Sequence, residues 1–433
     1  MDKEALIKKL DSDSLPERLD ALRQLKKLVD SGAISAPVSE GYTNNHMHTK
    51  YSFSPYTPAE AVWKAYMSGL GIVGIVDHDS AGGAEEFTQA GAILGIATTV
   101  GFEMRTDWSG TRLAGRRINN PDQAGNAYIC AHGLPRMSYE SADSYLSDIR
   151  NARAQRNRAM TGRLNGIMRG TGISVDYDAD VLPLSYASHG GEVTERHLLF
   201  ALAQHMMKGL GKGQALINFL SDTLDAPLSE KQLAYLGDTD SSVYDYDVLN
   251  VLKSSFIQSI YIDTRPEETP PVKEAVAFMK TLGAIPTYCY LGDVGASPTG
   301  DKHAQKFEDD YLEDVFLECR NLGFDAIAFM PSRNSREQLE RVMALCGKYG
   351  FLQISGEDIN QPRQSLICPQ LKEPHFAHLI DAAWALVGHE ISSAEDIKRG
   401  MFGDGGPTSP AVIQEKIEKF KRIGLRQYNS QGD

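Results

Sequence analysis

Along the first 33 residues apolar positions recur at helical spacing: Leu6, Leu10, Leu19, Leu22, Leu25 and Leu28 stand among charged side chains. That is the pattern of an amphipathic helix with one buried face. Ser14-Leu15-Pro16-Glu17 predicts a helix start, with Ser14 as N-cap and Pro16 in the first turn. From Tyr42 the rhythm changes. Short apolar runs at 71–76 and 95–100 alternate with helical stretches that begin at Pro58 and Ala84, which predicts parallel strands joined by crossover helices. Residues 104–126, rich in Arg, Gly and Asn, read as a loop, and Tyr128 to Ala131 as a further short strand. Residues 140–282 are mostly helical by pattern. The strand rhythm then resumes at 284–290, 325–329 and 351–355, with helices at 311–322 and 335–349. The expected division is an N-terminal helical extension over 1–40, a barrel from 41–139 and 283–372, an inserted helical subdomain over 140–282, and a helical tail over 373–433. A packing arm or a homo-oligomer contact is the expected use of the N-terminal helices.

Composition narrows the class without choosing a function. Hydrophobic residues at 42% and charged residues at 23% are ordinary for a soluble globular chain. Cys130, Cys289, Cys319, Cys346 and Cys368 form no Cys-x-x-Cys pair, so free thiols in a reducing compartment are expected rather than a disulfide framework or a zinc cluster. No apolar stretch reaches transmembrane length and Met1-Asp2-Lys3-Glu4 lacks a signal-peptide pattern; a cytoplasmic protein with no membrane partner is expected. A net charge of -13 argues against broad nucleic-acid binding. It does not exclude an anionic small substrate, because a few arginines beside a metal make a local positive site.

The chemistry sits where the apolar runs end. His46 and His48 flank Met47, so on a strand they face one way and Met47 the other. Asp77-His78-Asp79 closes the second run and Glu103 the third. Imidazole and carboxylate gathered at strand ends of an α/β barrel make a hydrolytic metal site. At least one divalent transition ion is expected, and Zn, Mn or Fe would each suit such ligands. Asp77 and Asp79 can stand behind the imidazoles and fix their tautomers; for Asp79, capping the next helix is the stronger reading. His375, His378 and His389 lie on the helical tail and read as structural. Cys289 has no catalytic base paired with it, which disfavours a nucleophile.

These motifs resemble the PHP (polymerase and histidinol phosphatase) superfamily, whose members fold as a distorted (β/α)7 barrel and usually hydrolyse phosphoesters with up to three metal ions. His46-Met47-His48-Thr49 is similar to the opening His-x-His-Thr, Val76-Asp77-His78-Asp79-Ser80 to the second motif, and Gly101-Phe102-Glu103 to the metal-bridging glutamate. Glu195-Arg196-His197 resembles the Arg-His segment of relatives that carry a helical insertion, and Gly356-Glu357-Asp358-Ile359-Asn360 stands where the family closes with Gly-Ser-Asp-x-His. The likeness covers roughly Tyr42 to Asn360.

There are departures. Phe53 stands where an aspartate helps hold a third metal, Tyr290 and Asn360 where ligand histidines are usual, and the histidine after the glutamate falls at Tyr128, with His132 as substitute. The resemblance therefore implies one firm metal held by His46, His48, Glu103 and Asp358, a doubtful second to which Asp77, His132 or Asn360 could contribute, and no third. It implies a phosphoesterase for a small phosphomonoester or nucleotide-like substrate, in which metal-activated water attacks phosphorus. His78 or His197 would protonate the leaving group, and Arg196, Arg116 and Tyr290 would hold the phosphate. The alternative is a degenerate PHP module that binds a metal or a phosphorylated ligand without turnover. A polymerase-associated proofreading domain is disfavoured by the absence of polymerase regions and by the acidic charge.

Overall fold

The computed structural model describes residues 2–120, 122–293, 306–405 and 409–430. Seven strands stand side by side in sequence order: β1 (Tyr42–Met47), β2 (Leu70–His78), β3 (Ala97–Asp107), β4 (Asn126–His132), β5 (Ile285–Cys289), β6 (Ala326–Phe329) and β7 (Leu352–Ser355). A parallel bridge from Met47 to Ile359, just past β7, brings the first and last strands together, and the His48 N–H donates to the Ile359 carbonyl at 2.9 Å. The result is a nearly closed (β/α)7-type barrel. The helices Pro58–Met67, Ala84–Leu94, Leu312–Leu322 and Arg336–Tyr349 make the expected crossovers.

The expectation of parallel strands fails at one place. β4 runs antiparallel to both β3 and β5. The reason lies in the connection: the described residues between 108 and 125 hold no helix, and without a helical crossover the chain can only turn back beside β3. β3 itself runs four residues beyond Glu103, to Asp107. The reversal sets Cys130 opposite Glu103 and Tyr128 opposite Arg105.

Between β4 and β5 the chain makes a set of helices, led by Tyr139–Ile167, Glu195–Leu210 and Tyr244–Ile260. They bury an apolar cluster of their own, to which the barrel contributes Phe53. The insertion is pinned over the strand ends: Arg363, past β7, pairs with Asp247 at 2.7 Å, and Asn250 donates to Gln361 at 2.9 Å.

The N-terminal helices Lys3–Lys9 and Leu15–Asp30 bury Leu6, Leu10, Leu22 and Leu25 in the barrel's own core. Arg18 forms a buried pair with Glu86 of the second crossover helix (2.5 and 2.8 Å). The apolar stripe that was to serve a homo-oligomer is thus already covered by its own chain.

The tail helix Ala377–Ser393 holds a pH-sensitive contact. His389 Nδ1 accepts from the Met401 N–H at 2.9 Å, and its Nε2–H faces the carbonyls of Gly133 and Gly283, both at 3.0 Å. Burial pulls its pKa from 6.5 to about 4. The unfolded chain therefore takes up this proton first: the contact's stability is complete above pH 6.5 and is lost as pH falls towards 4, on the order of 3 kcal/mol in all. Unfolding free energies measured between pH 7 and pH 4 should fall more steeply in the wild type than in His389→Gln. Equal slopes would contradict this.

Candidate metal centre

His46 and His48 point inward from the end of β1, and Met47 points into the apolar core with no exposure. The β7 end presses on them: a Cβ at Gly356 would lie 2.6 Å from His46 Cβ, so only glycine lets the backbone come so close. His48 Nε2 lies 3.1 Å from Asp358 Oδ1 and 3.9 Å from Glu103 Oε2; His46 Nε2 lies 3.8 Å and His78 Nδ1 3.0 Å from the same Glu103 oxygen. The donor atoms of His46, His48 and Asp358 lie within 4.8 Å of one another, as do those of His48, His78 and Glu103. His48 Nε2 and His78 Nδ1 are buried without a hydrogen-bond partner. Buried ring nitrogens left bare beside carboxylates are costly unless something else binds them. Their number and type suit a divalent transition ion.

A relay sets the tautomer of His48. Asp77, at the end of β2, accepts from the Thr49 N–H (2.7 Å), the Thr49 hydroxyl (2.6 Å) and the Ser52 hydroxyl (2.6 Å). With its proton given to Asp77, Ser52 Oγ can only accept from His48 Nδ1 at 3.2 Å. His48 then carries its proton on Nδ1 and presents a lone pair from Nε2, the arrangement that metal ligation needs. Asn360 acts in the same supporting way, donating to Asp358 Oδ1 at 2.6 Å; it orients a carboxylate where the family has a histidine.

The electrostatics agree with a cation position. Burial opposes a charge on His46, but Glu103 and Asp358 outweigh it and lift the imidazole from 6.5 to about 9. Asp358 is set deep in the fold yet opens its side chain to the cavity; burial works against its charge, and His48 and His46 hold its carboxyl well below the usual range. His78 is held well below the ordinary histidine range, first by burial and then by the charges of His48 and Arg153.

Other expected residues are placed differently. Phe53 fills its position with an aromatic ring packed on His197 at 4.9 Å and Phe200 at 5.9 Å. His197 is not a proton donor at the site: its Nδ1 accepts from the Thr194 N–H at 3.0 Å, it is buried, and burial pulls its pKa to about 3. It completes a capping box with Thr194 at the start of the helix Glu195–Leu210. Arg116 is an outer-surface residue, paired with Asp314 at 2.9 Å and lying over Tyr311. Tyr290 lines the cavity, but its hydroxyl donates to Asp309 at 2.5 Å and is spent there. Asp79 caps no helix, since Gly83 holds that place; it pairs with buried Arg153 at 2.6 Å. His132, at the far end of β4, is buried with Nε2 unpartnered and its ring 6.5 Å from that of His46.

The cavity above these groups has a volume of about 220 Å³, and its lining includes His46, His78, Glu103 and Asp358 as well as Arg105, Arg153 and Arg196. Arg105 and Arg153 escaped the sequence reading. Glu195 bridges them: it accepts from Arg105 (3.0 Å), Arg153 (3.0 Å) and Arg156 (2.8 Å), which keep its carboxyl well below the usual range despite burial. Even so, Arg105 Nη1 and Arg153 Nε make no hydrogen bond, although Arg153 Nε lies 3.7 Å from Glu192 Oε1. The signal was present: Arg105 follows Glu103 at strand period, and Arg150, Arg153 and Arg156 recur three apart on one helix face.

Comparison with known proteins places this geometry. No family model matches the chain. Over 65 residues, 15% of this chain, it is 34% identical to a 5'-3' exoribonuclease of Haemophilus influenzae, and over 115 residues, 25% of this chain, 31% identical to an error-prone DNA polymerase of Mycobacterium tuberculosis. The matches span only 24% and 10% of those relatives. Two solved structures align along most of the chain. One is a protein of Bifidobacterium adolescentis described as a metal-dependent phosphoesterase (TM-score 0.51, 20% identity, 81% of this chain and 98% of that one). The other is an amidohydrolase of Chromobacterium violaceum solved with bound sulfate and no metal (TM-score 0.50, 17% identity, 79% and 97%). At such identities the shared property is the fold.

Proposed function

We infer that this chain, a barrel of the PHP superfamily, is a metal-dependent phosphoesterase acting on a small phosphomonoester or nucleotide-like substrate. The observation that carries the reading is the pairing of two half-sites in one cavity: the His46, His48, Glu103 and Asp358 ligand cluster, and an arginine wall with donors left over. Arg105 keeps its Nη1 without an acceptor, a phosphoryl group would supply one, and guanidinium groups match it in charge and geometry. Bound sulfate in the Chromobacterium amidohydrolase is compatible with an anion site in this fold.

A cation held by His46, His48, Glu103 and Asp358 supplies Lewis acidity to a phosphoryl oxygen and to water. The chain supplies the rest. Arg105, Arg153 and Arg196 hold the anion and offset charge that grows on its oxygens. Glu195 fixes Arg105 and Arg153 so that no reorganisation is needed when the substrate arrives. His78 lines the cavity with its Nδ1 3.0 Å from Glu103 Oε2, where it stands within reach of a proton at the reacting group. The helical insertion covers part of the strand ends.

The test is a substrate comparison on protein stripped by chelation and reloaded with zinc or manganese. Phosphomonoesters should turn over, carboxamides should not, and inorganic phosphate should inhibit competitively. Amide hydrolysis without ester hydrolysis would overturn the assignment. Phosphate binding with no turnover of any ester would favour a binding module.

A further inference from the structure

The three inward residues of β4 are Tyr128, Cys130 and His132, two apart and on one face. Because β4 runs in reverse, Cys130 and not Tyr128 stands level with Glu103. Cys289, at the end of β5 and 159 residues away in sequence, brings its Sγ to 3.0 Å from that of Cys130. Glu103, Cys130 and Cys289 place one donor atom each within 4.8 Å of one another, and so do His46, Cys130 and His132. His132 is 2% exposed and its Nε2 has no hydrogen-bond partner. A pair of close thiols, one buried and one half-buried, a carboxylate already turned to the metal side, and an orphaned imidazole behind them thus meet in one place. Cys289 opens onto the cavity, which gives an ion a way in.

We propose that Cys130, Cys289 and Glu103, backed by His132, form a second cation position that selects a borderline-soft metal of the zinc class over magnesium or manganese. The proposal extends the metal reading above, because Glu103 is shared between the two positions. The chemistry follows from ligand type: thiolate and imidazole favour zinc or ferrous iron, whereas hard cations favour oxygen ligands. Two zinc–sulfur bonds of about 2.3 Å at a tetrahedral angle separate the sulfurs by about 3.8 Å. The thiols therefore need to part by less than an ångström. Each loses its proton on binding, so uptake of the ion releases protons and strengthens as pH rises.

The probe is cobalt(II), added to the full-length, chelator-stripped and reduced protein. Two cobalt ions per chain are expected, one of them giving the intense near-ultraviolet thiolate-to-cobalt charge-transfer absorption. Zinc should bleach that band at stoichiometric amounts, and magnesium or manganese in large excess should not. Cys130→Ser and Cys289→Ser should each remove the band and leave one cobalt, whereas Asp358→Ala should keep the band and lose the other ion. Cobalt bound to the wild type without the band would overturn the thiol position while leaving the His46–His48 metal intact. A band that survives in the double variant Cys130→Ser/Cys289→Ser would do the same, since it would come from another cysteine. No cobalt binding at all would remove both positions.

Discussion

Alanine at His48 is expected to leave the barrel folded, to strip the ion held with Asp358, and to cut phosphomonoester turnover by about three orders of magnitude. His48 is the ligand most tightly bound into its surroundings. Its Nδ1 is fixed by Ser52 and, through it, by Asp77, while its Nε2 faces Asp358 and Glu103 without a hydrogen bond to either. Loss of the Lewis acid removes several kcal/mol of charge stabilisation, and each 1.36 kcal/mol is a factor of ten in rate, so a loss of about 4 kcal/mol gives the expected figure. The check is elemental analysis and turnover on the same sample, with thermal unfolding to show that the fold survives. Metal content and rate equal to wild type would remove His48 from the site.

Methionine at Arg153 is expected to cost about 3–5 kcal/mol of stability, the usual penalty when one partner of a buried ion pair is removed. Arg153 donates to Asp79 at 2.6 Å and Glu195 at 3.0 Å, lies 3.7 Å from Glu192, and is 3% exposed. Three arginines, Arg105, Arg153 and Arg156, balance Asp79, Glu195 and Glu268 in this network. The fourth acid, Glu192, has neither oxygen hydrogen-bonded, and burial pushes its carboxyl well above the usual range. Removing Arg153 leaves Asp79 without its counter-charge and Glu195 with two of its three arginines, and it loosens the insertion from the barrel, because Asp79 belongs to the barrel and Glu195 to the insertion. Arg158→Met is the matched control: its pair with Asp178 is on the surface, where such contacts contribute up to about 1 kcal/mol. Denaturant unfolding of the two variants should differ by several kcal/mol, and equal costs would contradict a structural role for the network.

Much of the site could be read from sequence because strand geometry is strict. His46 and His48 had to share a face, and Glu103 closed a strand in the same barrel, so their meeting needed only the barrel. Asp358 and Asn360 came from the family pattern and reach the same place, with Asn360 acting through Asp358. What escaped depended on chain direction and long-range pairing. Nothing in the composition of residues 108–125 says that the next strand runs backwards, and so the level of Cys130 with Glu103 was hidden. His197 is consumed in a capping box with Thr194 at a helix start, a local contact that the Arg-His resemblance does not reveal. Arg116 had basic neighbours but no way to reach the cavity. Arg153 sat in plain helical periodicity, yet its partners Asp79, Glu192 and Glu195 lie far apart along the chain.

Metal content of the protein, purified without added metal or chelator, paired with hydrolysis of a simple phosphomonoester before chelation, after it and after reloading, is the most direct measurement. The account predicts at least one tightly held transition ion per chain, turnover that disappears on chelation, and recovery on return of the ion. Turnover that persists in metal-free protein, or a fully metal-loaded protein that hydrolyses no phosphoester, would contradict it.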